Sequence, residues 1–377
     1  MPVAGIVTTY RNNTHADVIL GKILEGFDQQ GGSGPALKLV GLYTDQVPDG
    51  DLSRQLADKH GFSIASTIDE ALTGGTDQLR VAGVISIGEH GDYPQTPVTQ
   101  QKMYPRRRFF DGIVDTFRRV GAVVPVFSDK HLAFNWNDAS HMYKTAAAMN
   151  IPFMAGSSLP VTWRKPPLSL PFGCEIEAAL AIGYGGFEAY GFHAIEMLQC
   201  MVERRSGGET GIKHVSALQG DSIWNARDAG AWQDDLLQVA LAGMPGVRPG
   251  DPRVLMKDRA AFYQLEYRDG LRATVAMANG LASQFGFAAK LRGREKPVAT
   301  WFELQEVKPF GHFTYLTQAI ESMIHTGKPA YPVERTLLTT GILDRVMHSL
   351  AEGGKRFDTP ELAISYEPVA WPFANGE

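Results

Sequence analysis

Apolar and polar positions alternate regularly through the first 155 or so residues. Short apolar runs at 3–8, 37–43, 83–87, 122–127 and 152–155 are separated by amphipathic stretches at 16–27, 51–60, 68–72, 109–120 and 138–149. Runs that short read as strands, and the stretches between them repeat as helices do. Thr67 before Ile68-Asp69-Glu70, and Asn137 before Asp138, carry side chains suited to N-caps. Strand and helix in alternation predict a doubly wound parallel sheet that takes ligands beyond the C-terminal ends of its strands.

The pattern changes after Gly156. Residues 157–173 are rich in proline and include Trp163, Arg164 and Lys165, which predicts an ordered connection. Longer segments closer to period two follow at 175–183, 212–218, 261–267, 271–278 and 298–307, with Asp269-Gly270 as a hairpin turn. Long helices are expected at 188–205 and 314–326. The chain therefore reads as two α/β-class domains: a Rossmann-like domain at 1–156, and an α+β domain at 157–377 with a large, mostly antiparallel sheet and helices on one face.

Composition narrows the partners. With 377 residues and a formal net charge of −5, the chain has no broad cationic field for nucleic acid or anionic lipid. Two cysteines, Cys174 and Cys200, make neither a disulfide framework nor a cysteine metal site. No apolar run is long enough to span a membrane, and the first residues do not form a signal peptide. The expectation is a soluble, cytoplasmic protein acting on a small molecule.

Several segments carry candidate chemistry. Thr9-Tyr10-Arg11-Asn12-Asn13-Thr14-His15 stands after the first strand, where a dinucleotide-binding fold has its G-x-G-x-x-G turn. Side chains there crowd the approach of a pyrophosphate to backbone amides, although Arg11 and Asn12 offer polar groups to an anion instead. Asp129-Lys130-His131 follows an apolar strand, so Lys130 is placed to polarise a carbonyl and His131 to move protons; the same triplet also reads as a plain surface loop. His193 and Glu196 lie one turn apart on the helix that begins after Gly185-Gly186, as an acid/base pair, metal ligands or core residues. Arg106-Arg107-Arg108 opens a helix and could grip a carboxylate or phosphate through Arg106, or be a solvated surface. Trp163 and Arg164 are candidates to line a sugar-sized substrate pocket, with structural packing as the alternative.

Asp129-Lys130-His131, the helix bearing His193, and Gly327-Lys328-Pro329 ahead of Pro332-Val333-Glu334-Arg335 together resemble the glucose-fructose oxidoreductase and inositol dehydrogenase (Gfo/Idh/MocA) family. Lys130 stands at the lysine of that family's E-K-P motif and His193 at the histidine of its D-x-x-x-H motif, with Ala189 in place of the aspartate. The resemblance covers most of the chain. It implies an oxidoreductase on a small polyhydroxylated or carbonyl compound, NAD or NADP as cofactor, and a homo-oligomer formed through the C-terminal sheet. Under it, Lys130 and His193 are catalytic, with His131 and Glu196 assisting, while Arg11, Asn12, Asp45 and Glu89 face the nucleotide. Asp45 falls where the family has its ribose-binding acid.

Glu89-His90 replaces a T-P dipeptide of that family. Glu89, His90, Asp129, His131 and His193 therefore form a second candidate set, ligands for a divalent metal. Under that alternative the chain is a metal-dependent hydrolase, lyase or isomerase on the same scaffold. A sensor or assembly subunit without catalysis is the third expectation.

Overall fold

The computed structural model describes residues 1–375. Its first part runs β1 (Pro2–Val7), α1 (His15–Glu25), β2 (Lys38–Thr44), α2 (Ser53–His60), β3 (Ser63–Ala65), α3 (Ile68–Thr73), β4 (Gly83–Ile87), α4 (Arg106–Val120), β5 (Val126–Asp129), α5 (Trp136–Ala148) and β6 (Phe153–Gly156). The next elements are β7 (Trp163–Lys165), β8 (Ile176–Gly183), α6 (Ala189–Val202), β9 (Ile212–Gln219), α7 (Asp221–Asp228), α8 (Asp234–Ala242) and α9 (Pro252–Met256). The chain ends with β10 (Ala261–Tyr267), β11 (Arg272–Met277), β12 (Phe285–Leu291), β13 (Val298–Glu303), α10 (His312–Thr326), α11 (Val333–Ala351) and β14 (Phe357–Asp358).

Two compact units result. The first contains Met1–Gln95, Lys102–Ser158 and Leu304–Val333; the second contains Thr96–Gln101, Leu159–Glu303 and Glu334–Glu377. The expected change of character after Gly156 falls at the end of β6. The single boundary expected there is incomplete, because Leu304–Val333 returns to the first unit. Its helix α10 packs where Gly83 leaves room: a Cβ on that glycine would lie 2.7 Å from Ile324 Cγ1. Lys22, buried on α1, fastens the same segment by donating to the carbonyls of Phe27 (3.0 Å) and Pro309 (2.6 Å).

The first unit holds a six-stranded parallel sheet of order β3-β2-β1-β4-β5-β6. The strand order reverses between β1 and β4, which sets the ligand crevice at the C-terminal ends of those strands. Strand β4 is buried along its whole length, as a central parallel strand must be. The Thr67 side chain caps α3 by accepting from Glu70 N–H. Asn135, not Asn137, caps α5, because the helix begins one residue after it and Asp138 N–H reaches its side chain.

The second unit holds an eight-stranded sheet of order β14-β9-β10-β11-β8-β12-β13-β7, antiparallel except for the β8–β11 pair. Helices cover both faces rather than the one expected. Gly183 of β8 lies against Ala194 of α6, whereas its neighbours Leu180 and Ile182 pack with Trp232, Leu236 and Leu237 around α8. Successive strand residues point to opposite sides, so these contacts define two covered faces. Among the described residues no helix is long and apolar enough to cross a membrane.

Candidate functional site

The first unit gathers its charged side chains at the C-terminal ends of β1, β4 and β5. Asp129 closes β5, and Lys130 follows it with φ 61°. A left-handed conformation is unfavourable for a lysine, and here it is held by the Lys130 N–H bond to the Gly156 carbonyl at 3.1 Å. The kink sends two adjacent side chains to different partners. Asp129 Oδ2 meets His15 Nδ1 at 2.7 Å, while Lys130 Nζ donates to Glu89 Oε1 at 2.9 Å.

Glu89 sits just beyond β4 and binds two cations, since Arg106 Nη2 donates to its second oxygen at 2.5 Å. Burial would raise its pKa; Lys130 and Arg106 outweigh that and hold the carboxyl well below the ordinary range. The other arm of the Arg106 guanidinium faces His131 Nε2 at 2.9 Å. A nitrogen facing a guanidinium must accept, so His131 is neutral. Burial and Arg106 push its pKa well down.

His15 opens α1 with only 16% of its side chain exposed, while the Asp129 side chain is fully buried. The carboxylate can only accept, so Nδ1 carries the proton and donates, which leaves Nε2 as the acceptor. Its ring lies 5.5 Å from that of His90 and edge-on to Phe313 at 5.2 Å. His90 also has a left-handed backbone, φ 70°. Among the described residues, its Nε2 and Asp129 Oδ1 are buried without a partner.

Burial lowers the pKa of His90 to about 4 and that of His312 to about 3. The unfolded chain therefore binds protons that the folded chain refuses, from about pH 6.5 down to these values. Stability should rise with pH across that window, by up to about 1.4 kcal/mol per pH unit for each histidine. Urea unfolding at several pH values checks this: His90→Gln should flatten the slope, and a flat wild-type profile between pH 4.5 and 6.5 contradicts it.

The positions expected to face a nucleotide are occupied by the protein itself. In the turn after β1, Arg11 N–H donates to Thr14 Oγ1, Asn13 N–H to Asp17 Oδ2 and Thr14 N–H to the Arg11 carbonyl. These are amides of the kind that hold a pyrophosphate in the glycine-rich turn. Asp17 also brings a buried carboxylate to the first turn of α1, where the helix dipole would otherwise favour an added anion. Tyr10 is wholly buried, while Arg11 and Asn12 are exposed.

Asp45 lies just past β2 as expected, but accepts from Tyr43 OH (2.8 Å), Tyr93 OH (2.6 Å) and Arg108 Nη2 (2.7 Å). Next to it, Gln46 clamps the Asp92 backbone both ways, at 2.8 and 2.9 Å. The stretch from Gly88 to Gln95 is thus tied across the ends of β1 and β2, with Thr8 Oγ1 donating to the Glu89 carbonyl. Gly88 admits Arg106 to this layer: a Cβ there would lie 2.5 Å from Arg106 Cγ. The residues present do not fit a dinucleotide in the manner of the glycine-turn enzymes.

Other expectations need correction. Among the described residues no group of three or more His, Cys, Asp or Glu side chains is arranged to hold a metal ion. The set of Glu89, His90, Asp129, His131 and His193 fails because Glu89 is neutralised by two cations, His131 faces Arg106, and Asp129 is paired with His15. The Nε2 of His131 is taken up by the Arg106 guanidinium. The arginine run does not act as one clamp: Arg106 is buried, Arg107 pairs with Asp111 and Asp138, and Arg108 pairs with Asp45. Arg164 is buried under Phe373 with its guanidinium 3.8 Å from the ring, and donates to the carbonyls of Pro160 and Leu168, which makes it structural. Its neighbour Trp163 opens β7 at the sheet edge.

In the second unit, His193 lies on α6 among Tyr190, Phe192 and Phe285, with 9% exposure. Glu196 is buried and accepts from Thr336 of α11 at 3.2 Å. His15 is the functional candidate that the sequence reading passed over.

No protein-family model matches the sequence, and no curated protein matches it. Solved structures do. GenD2 of gentamicin A biosynthesis, determined in complex with NAD, superposes with a TM-score of 0.58 at 13% identity over 95% of this chain and 96% of its own. A probable dehydrogenase from Thermotoga maritima gives 0.58 at 11% over 96% and 100%. Myo-inositol 2-dehydrogenase from Lactobacillus plantarum gives 0.56 at 15% over 95% and 99%. The six-stranded parallel sheet and the eight-stranded, mostly antiparallel sheet, together with the nearly end-to-end coverage of these structures, give the chain the fold of the Gfo/Idh/MocA-type dehydrogenases.

Proposed function

We propose that the chain is an oxidoreductase-like enzyme acting on a small polyhydroxylated or carbonyl compound. Lys130 carries this reading: its left-handed backbone places a buried ammonium at the ligand-binding end of a doubly wound sheet, one residue beyond the carboxylate that orients His15. An ammonium at that place polarises a carbonyl oxygen or steadies an alkoxide. Glu89 keeps the ammonium in position, and His15, oriented by Asp129, gives or takes the proton of the reacting oxygen or carbon. The inositol dehydrogenase and GenD2 named above share this fold and favour a polyol or sugar-like substrate.

The test is a screen of inositols, aldoses and ketoses for turnover, followed by Lys130→Met. The variant should lower kcat/KM by about 100-fold to 10,000-fold on whichever compound is turned over. Unchanged turnover in Lys130→Met, or a wild-type enzyme inert to the whole screen, would remove the proposal.

A further inference from the structure

Resting on that reading, we infer that the oxidoreduction is internal to the substrate: an α-hydroxy aldehyde or ketone is isomerised through an enediol, with His15 carrying the proton and Lys130 holding the oxygen. No nicotinamide takes part. Two independent observations lead here. The crevice that would take a dinucleotide is closed by the chain's own bonds, from the turn amides to Asp45, Tyr93 and the Gln46–Asp92 clamp. At the same strand ends stands an oriented imidazole next to buried atoms that lack partners among the described residues, His90 Nε2 and Asp129 Oδ1. Buried polar atoms are almost always satisfied, so this pair points to a hydroxylated ligand.

The step balances without an external oxidant. His15 Nε2 removes the proton from the carbinol carbon, and the C–H electron pair becomes the new C=C bond. The carbonyl π pair moves onto its oxygen, which Lys130 steadies as the enediolate. The hydroxyl proton of the neighbouring oxygen passes to the former carbonyl oxygen, and His15 returns its proton to the former carbonyl carbon. One carbon is oxidised and its neighbour is reduced by the same two electrons.

The experiment uses the full chain as purified. Isothermal titration with NAD+ and NADP+ should show no saturable binding up to roughly 1 mM. Aldoses, ketoses and inososes in D2O, followed by proton NMR, should lose the signal of the hydrogen next to the carbonyl with no nucleotide added. His15→Gln should slow that exchange by about 100-fold or more, with circular dichroism to verify folding. Saturable nicotinamide binding with Lys130-dependent formation of reduced nicotinamide would overturn this inference and leave the preceding proposal standing. Exchange that proceeds unchanged in Lys130→Met would remove both. A wild-type enzyme that exchanges no compound of the panel would also overturn the inference.

Discussion

Asp129→Asn should leave the chain folded and cut turnover by about 100-fold to 10,000-fold, mostly in kcat. The amide can donate where the carboxylate only accepted, so His15 would rotate its proton to Nε2, the atom that must accept from substrate. Nitrogen-15 NMR of His15 reads this tautomer directly, which a merely structural role for Asp129 would not move. If kcat and the His15 tautomer are both unchanged, Asp129 orients nothing and His15 loses its role as proton carrier.

Glu89→Gln should destabilise the first unit by about 3 to 5 kcal/mol. The substitution keeps the shape but leaves the Lys130 ammonium and the Arg106 guanidinium buried together without a countercharge. Urea unfolding measures the loss. Combining Glu89→Gln with Lys130→Met removes one of the stranded cations, so the double variant should lose less than the two single losses added. Strict additivity would mean that Lys130 and Glu89 do not depend on each other.

Much of the architecture is legible in the amino-acid sequence, because the parallel strands of the first unit other than the three-residue β3 (Ser63–Ala65) each contain an apolar run of their own. The strand at Phe285–Leu291 is not, since Gly286, Ala288 and Ala289 are small and both of its faces are buried, which erases the period-two signal. The helices α7 to α9 escape notice for a related reason: they are short, and they pack on a sheet face expected to be open.

At the site, residue types could be read but not their pairing. Glu89, Arg106 and Lys130 stand out separately as metal ligand, anion clamp and catalytic lysine, yet in space they neutralise one another. Asp45 stands just past β2, where the pattern predicts it, but its partners Tyr93 and Arg108 lie far along the chain and carry no local motif. His15 was hidden for the same reason, because its carboxylate is 114 positions away. Histidine at the start of a helix says little until that partner is known.

The bond from Lys22 to the Pro309 carbonyl joins residues 287 positions apart. During synthesis, the first sheet emerges long before the segment that covers α1 and the Gly83 groove. Until residues 304–333 leave the ribosome, the nascent N-terminal half carries an exposed apolar seam and a lysine without its carbonyl cage. The order of translation therefore delays the closing of the first unit until the stretch 159–303 of the second has been made, and chaperone capture of a half-made chain falls in that interval.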